Sequence, residues 1–197
     1  MANGPAADQD AESEEITSAI WNKMVQDRHY DMRFATLHCI LPSLRMLLSE
    51  HLVCADDLSM IVGQSGVVPA DRNFVVTKGL KAGFDGDFIV ALHLLVPQLE
   101  NLVRVHLQNA GAKTITTDSE GLQMESGLSS LVKFPEMLHA FGPDLTFELR
   151  AAFCDGFGPN LRNEVAHGLM HQGAMQSLES IYAWWLFFRL VFLGYYR

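Results

Sequence analysis

Between Gly158 and Gly168 the chain reads Gly-Pro-Asn-Leu-Arg-Asn-Glu-Val-Ala-His-Gly, which sets Arg162, Asn163 and His167 within two helical turns. A guanidinium, an amide and an imidazole at this spacing suit phosphate chemistry. Imidazole titrates closest to neutrality among side chains, so His167 can take the proton of a ribose 2′-hydroxyl or give one to a leaving 5′-oxygen. Arg162 stays charged and can grip two phosphate oxygens as negative charge builds in the transition state. Asn163 would orient either the imidazole or the phosphate. Asn160, Glu164 and His171 surround these three and are the candidate substrate-binding residues.

A helix must position this set. Pro fits the first helical position and Gly or Asn the N-cap, so the helix is expected to start at Pro159 or Asn160 and to break at Gly173, with Gly168 also weakening its continuity. Its first backbone N–H groups would add an anion pocket. Arg162 in the first turn opposes the positive end of the helix dipole, at a cost of roughly 0.3–1 kcal/mol. Asn163 and His167, four apart, share a face, whereas Arg162 and His167, five apart, diverge by about 140° around the axis. Either the long Arg162 side chain folds over toward the imidazole, or a second copy of the helix across a two-fold axis supplies the missing partner and creates a composite cleft.

The run Leu161-Arg162-Asn163-Glu164-Val165-Ala166-His167-Gly168 resembles the R-x4-H motif of the HEPN superfamily, with a polar residue after the Arg. It is most similar to an uncharacterised HEPN-like helical family marked by Arg-Asn-x-x-x-His-Gly near the C-terminus. The resemblance is tight over about residues 157–180 and rests elsewhere on helical character. It implies an all-helical bundle that dimerises with the motif at the interface. It also implies a metal-independent endoribonuclease that uses the 2′-hydroxyl as nucleophile and leaves a 2′,3′-cyclic phosphate. On this resemblance Arg162 and His167 are catalytic, Asn163 supports them, RNA is the partner and no cofactor is needed. Leu169 stands where nucleotidylated members carry a tyrosine, so that form of control is not expected. The alternative is a catalytically silent helical module for assembly or for binding RNA or nucleotides.

Other chemistries find less support. Glu164, His167 and His171 fall at i, i+3 and i+7, a conceivable metal face, but the H-E-x-x-H order is absent and no metal is expected. His38, His51, His93, His106 and His139 stand singly on apolar helices and read as structural. There is no P-loop, no dinucleotide-binding Gly motif and no G-x-S-x-G nucleophile turn. Cys39, Cys54 and Cys154 are odd in number and widely spaced, which implies reduced, mostly buried thiols.

Composition bounds the rest. Apolar residues make up 49% of 197, ample for a core. The net charge is −9, and Asp8, Asp10, Glu12, Glu14 and Glu15 supply five of those charges, leaving about −4 for the remainder. This balance lacks the basic face that strong nonspecific nucleic-acid binding relies on. Residues 1–13 read as a disordered acidic tail and 14–197 as one helical domain, in which 14–110 carry N-terminal helices and 111–197 the motif-bearing ones. No secretory leader is apparent. The apolar run 183–194 is shorter than a ~20-residue membrane span and contains Arg189, so a buried helix, no membrane and a cytoplasmic location are expected.

The expected elements make an all-α bundle. Ser13 caps a helix with Ile16, Ile20, Met24 and Val25 on one face. A second helix, from Met32 to Leu52 and kinked near Pro42, turns Phe34, Leu37, Ile40, Leu41, Leu44, Leu47 and Leu48 inward. Residues 67–86 form a loop around one short helix. The helix from Asp87 to Asn109 is apolar round most of its circumference, hence central or shared with another subunit. Residues 113–117 form a small hairpin or extended connector, short helices break at Pro135, and a long helix through Trp184, Trp185 and Phe188 closes the chain.

Overall fold

The computed structural model describes residues 5–117 and 120–196, and it is an all-α bundle with one small hairpin. The chain opens with helix α1 (Pro5–Ala35), passes through a π-helical turn (Thr36–Ile40) and continues as α2 (Leu41–Glu50). Residues 1–4, at the start of the expected tail, lie outside the described residues. The two separate N-terminal helices expected here are one continuous rod, because nothing between Val25 and Met32 breaks it. Its disturbance is the π turn, placed just ahead of Pro42, where the ring lacks an N–H and crowds the carbonyl four residues back. The wider turn leaves Leu41 N–H donating to the Thr36 carbonyl.

The inward assignment of this rod needs correction. Val25, Met32, Thr36 and Ile40 are buried, but Ile16, Ile20, Met24, Phe34, Leu37, Leu47 and Leu48 are exposed, and α2 buries no residue at all. Periodicity located apolar faces without saying which of them meets the core.

Helix α3 (Ala55–Gln64) and helix α4 (Asn73–Phe84) follow, so residues 67–86 hold a twelve-residue helix rather than mostly loop. Helix α5 (Phe88–Asn109) is capped by Asp87, whose carboxylate accepts from Val90 N–H at 3.0 Å. Its all-round apolar surface has a plain cause: α5 packs against α4 and five later helices. Among the described residues it is the one helix long and apolar enough to cross a bilayer, and here it forms the centre of the bundle.

Strand β1 (Ile115–Thr117) pairs antiparallel with β2 (Gln123–Glu125), Thr116 opposite Met124. Then come α6 (Leu128–Leu131) and α7 (Glu136–Phe153), the latter broken at Gly142–Pro143. Two short helices, α8 (Leu161–Ala166) and α9 (Gln172–Met175), precede α10 (Leu178–Tyr195). Trp184 of α10 is buried, donates from its indole to the Leu80 carbonyl at 3.0 Å and meets Phe84 edge-on. One contiguous core runs from Val25 to Val191.

Candidate functional site

The motif lies on α8 and its two ends. Pro159 stands outside the helix: Asn160 is the N-cap, in the left-handed region at φ 49° and ψ 36°, and its carbonyl accepts from Asn163 and Glu164 N–H at 3.0 and 3.1 Å. Asn is among the few non-glycine residues that tolerate this backbone. With six residues, and its Asn163 N–H already taken, α8 does not form the anion pocket expected at its start.

The helix also ends earlier than Gly173. His167 is its C-cap, and Gly168 adopts φ +64°. Gly168 N–H then donates to the Val165 carbonyl at 3.2 Å and Leu169 N–H to the Glu164 carbonyl at 2.9 Å. That pair of bonds is a Schellman stop, so the Gly after the His has a complete explanation in helix termination.

Arg162 points away from solvent, toward α5. Its Nε donates to Glu100 Oε2 at 3.1 Å and its Nη1 to Asn163 Oδ1 at 3.2 Å, while Asn163 Nδ2 donates to Asn160 Oδ1 at 3.0 Å. Both amide orientations are consistent with this chain of donors and acceptors. Glu100 is the hub of the cluster. It also accepts from Leu128 N–H at 2.9 Å and, on its other oxygen, from Arg104 Nη2 at 2.9 Å, while the same Arg104 nitrogen reaches the Ser126 carbonyl at 3.0 Å. Partial burial alone would raise the Glu100 carboxyl, but the Leu128 N–H and the two guanidiniums outweigh it and hold the group below the usual carboxylate range. Gly127 lies close against the guanidinium; a Cβ there would stand 3.2 Å from Arg162 Nη2.

The structure thus unites Arg162, Asn163 and Asn160, and adds Glu100 and Arg104, which sequence reasoning missed. Their signal was present. Glu100 and Arg104 are an i, i+4 charged pair set in an otherwise apolar stretch of α5, and a charge on a buried helix requires partners. His167 stays outside the cluster. Its ring is exposed and, among the described residues, makes no hydrogen bond or ion pair. His171 is exposed as well and serves as the N-cap of α9, its Nδ1 accepting from Ala174 N–H at 3.3 Å. Glu164 is half-buried and joins neither His in a metal set: among the described residues no three His, Cys, Asp or Glu side chains group as a metal would need.

Two properties limit the chemistry. Arg162 and Arg104 are balanced by Glu100 and Glu125, so the cluster offers little net positive charge to a polyanion. Cys154, at the end of α7, is no nucleophile, since burial pushes its thiol up to about 11 and leaves it protonated. What remains free is one nitrogen of the Arg162 guanidinium, a quarter-exposed side chain held fixed from two sides, together with the unengaged imidazole five residues on. Compared with protein-family models, with curated proteins and with solved structures, the chain matches none of them.

Proposed function

We propose that the chain is a HEPN-type, metal-independent endoribonuclease whose site is completed by a second copy. The observation that carries the reading is the contrast between Arg162, immobilised by Glu100 and Asn163, and His167, exposed and unengaged. A fixed guanidinium costs no reorganisation when charge develops, and a free imidazole is available to move protons. The five-residue separation, about 8 Å along the axis at 1.5 Å per residue, is what the second copy offsets. In the reaction the 2′-oxygen attacks phosphorus and the bond to the 5′-oxygen breaks. One His167 accepts the 2′-hydroxyl proton, the other donates a proton to the departing 5′-oxygen, and a 2′,3′-cyclic phosphate and a 5′-hydroxyl result. The chain carries this out as a homodimer, with RNA as partner and no metal or cofactor.

One observation favours a second reading, the catalytically silent module. Two of the three Arg162 nitrogens are spent inside the chain, on Glu100 and Asn163, as they would be for a purely structural arginine.

The test is cleavage of mixed RNA in EDTA by the wild type, by His167→Ala, by Arg162→Ala and by an equimolar mixture of the two variants. A site that uses His167 of both copies predicts that the two variants and their mixture are all inactive, since a mixed dimer holds a single His167; about a quarter of wild-type activity in the mixture would mean that one Arg162 and one His167 suffice for each site. Inactive wild-type protein supports the silent module, and cutting that persists in both variants removes the motif from the chemistry.

A further inference from the structure

The outer face of α1 carries a pattern unrelated to the motif. Ile16, Ile20, Lys23, Asp27, Tyr30, Phe34 and Leu37 follow one another at spacings of four, three, four, three, four and three residues, the a/d seam of a coiled coil over three heptads. All seven are exposed, and each of the five apolar ones by half or more, Tyr30 by 72%. The opposite side of the same helix is already committed to the chain's own interior. Val25 and Met32 are in the core, Trp21 donates to Asp155 Oδ2 at 2.7 Å, and Arg28 donates to Glu148 Oε1 at 2.6 Å. This helix therefore has two apolar faces and covers one. Ile16 and Ile20 at one end and Tyr30, Phe34 and Leu37 at the other flank the Lys23–Asp27 pair, so the bare apolar surface, on the order of a few hundred Å² in all, has a charged centre.

We infer that this seam pairs with the same seam of a second copy as an antiparallel coiled coil centred on residue 25. The occupant follows from a symmetry in the sequence. In an antiparallel two-fold pairing, residues whose numbers add to a constant lie opposite one another, and here the constant is 50. Ile16 then meets Phe34 of the second copy, Ile20 meets Tyr30, and Lys23 meets Asp27. Each layer joins a d position to an a position, as an antiparallel pair requires.

The two charges carry most of the specificity. Lys23 and Asp27 bridge within one copy at 2.6 Å, and the two-fold would interleave both pairs into an alternating ring of four charges. In a parallel, in-register pairing Lys23 would face Lys23 and Asp27 would face Asp27, so the same residues oppose that arrangement. Beside the core layers the flanking side chains pair with an offset of two, so the numbers add to 48 on one side and 52 on the other: Met24 meets Met24 and Thr17 meets Asp31, Gln26 meets Gln26 and Ala19 meets Arg33, with no like charges opposed. The π turn that begins at Thr36 changes the helical phase just where the seam runs out at Leu37. This pairing is independent of the ribonuclease reading, because its face of α1 is turned away from the Asp155 segment that leads into α8.

Sedimentation of the intact chain tests it, with circular dichroism to confirm folding of each variant, since every substituted side chain is exposed. Through this seam the wild type should self-associate at about 100 μM, as a dimer where the motif interface stays open and as a larger assembly where that interface forms too. Lys23→Asp alone makes both central positions acidic and Asp27→Lys alone makes both basic, so each should weaken self-association by at least about tenfold. Their equimolar mixture should form a heterodimer, and the double variant Lys23→Asp, Asp27→Lys should dimerise again. A monomeric wild type overturns the pairing. So does a dimer indifferent to both charge changes, and so does a monomer that sediments with phosphatidylserine vesicles. His167→Ala should leave the association unchanged whatever its effect on RNA.

Discussion

Glu100 of α5 and Arg162 of α8 are joined Oε2 to Nε at 3.1 Å, although 62 residues separate them in sequence. This contact, with the Asn163 side chain as second anchor, decides where the motif arginine points. A six-residue helix is too short to hold itself in place, and the polar bond to the central helix of the bundle orients it.

The coupling between the two residues is measurable. Arg162→Ala leaves Glu100 with one guanidinium fewer, and Glu100→Gln removes the charge that holds Arg162, so each change should destabilise the chain by about 1–2 kcal/mol. Together they should cost less than their sum, with a coupling of about 1 kcal/mol in a urea-unfolding cycle. Strict additivity would mean that the contact is not formed in solution. Loss of activity in Arg162→Ala consequently needs Arg162→Lys beside it, which keeps the charge but not the two-sided grip.

Glu179, at the start of α10, ties that helix to α1, accepting from Arg33 Nη1 at 2.6 Å and contacting His29 Nε2 at 2.8 Å. Burial opposes its ionisation, but the His29 and Arg33 bonds and the Ser177 hydroxyl outweigh it and bring the carboxyl to about 2. A folded-state value below the unfolded one means that the stabilisation is complete above about 4.5 and is lost as pH falls from there toward about 2. Thermal melts of the wild type should fall across that window. Glu179→Gln should melt lower than the wild type at pH 7, and the difference should shrink as pH approaches 2; a constant difference would show that the charge contributes nothing.

Much of this architecture was legible in the chain. Helix α5 was readable from Asp87 to Asn109 because a cap and a sustained apolar period bracket it, and the closing aromatic helix because its side chains are apolar all round. The direction of burial along α1 and α2 was not, since an apolar stripe on a surface helix and one against the core have the same period. At the site, Arg162, Asn163 and Asn160 were visible as a local cluster. Glu100 was marked locally only as half of an i, i+4 pair with Arg104 in an apolar helix, and its partner in α8, 62 residues on, depended on the long-range contact. Gly168 was readable as a weak point of the helix, but whether the helix ended there or at Gly173 depended on the left-handed turn that the fold shows.

The packing of α4 on α10 gives a sharper test of the core. A Cβ on Gly83 would stand 2.1 Å from Trp184 Nε1, inside contact distance, and Trp184 is fixed by its bond to the Leu80 carbonyl. Gly83→Ala should therefore destabilise by about 2–3 kcal/mol, the scale of an overpacked core, despite the better helix propensity of Ala. A more stable variant would show that the two helices are not packed in this way.

Gly168 separates two meanings of the His-Gly pair. Its φ of +64° lets two N–H groups close the end of α8, and no side chain is involved. Gly168→Ala puts a Cβ into the left-handed region at a cost of about 1 kcal/mol, so the melting temperature should drop by about 2–4 °C. Cleavage per folded molecule should survive at temperatures well below the melt, because His167 keeps its place at the helix end. A variant as stable as the wild type but unable to cut RNA would instead assign the glycine to substrate approach and not to helix termination.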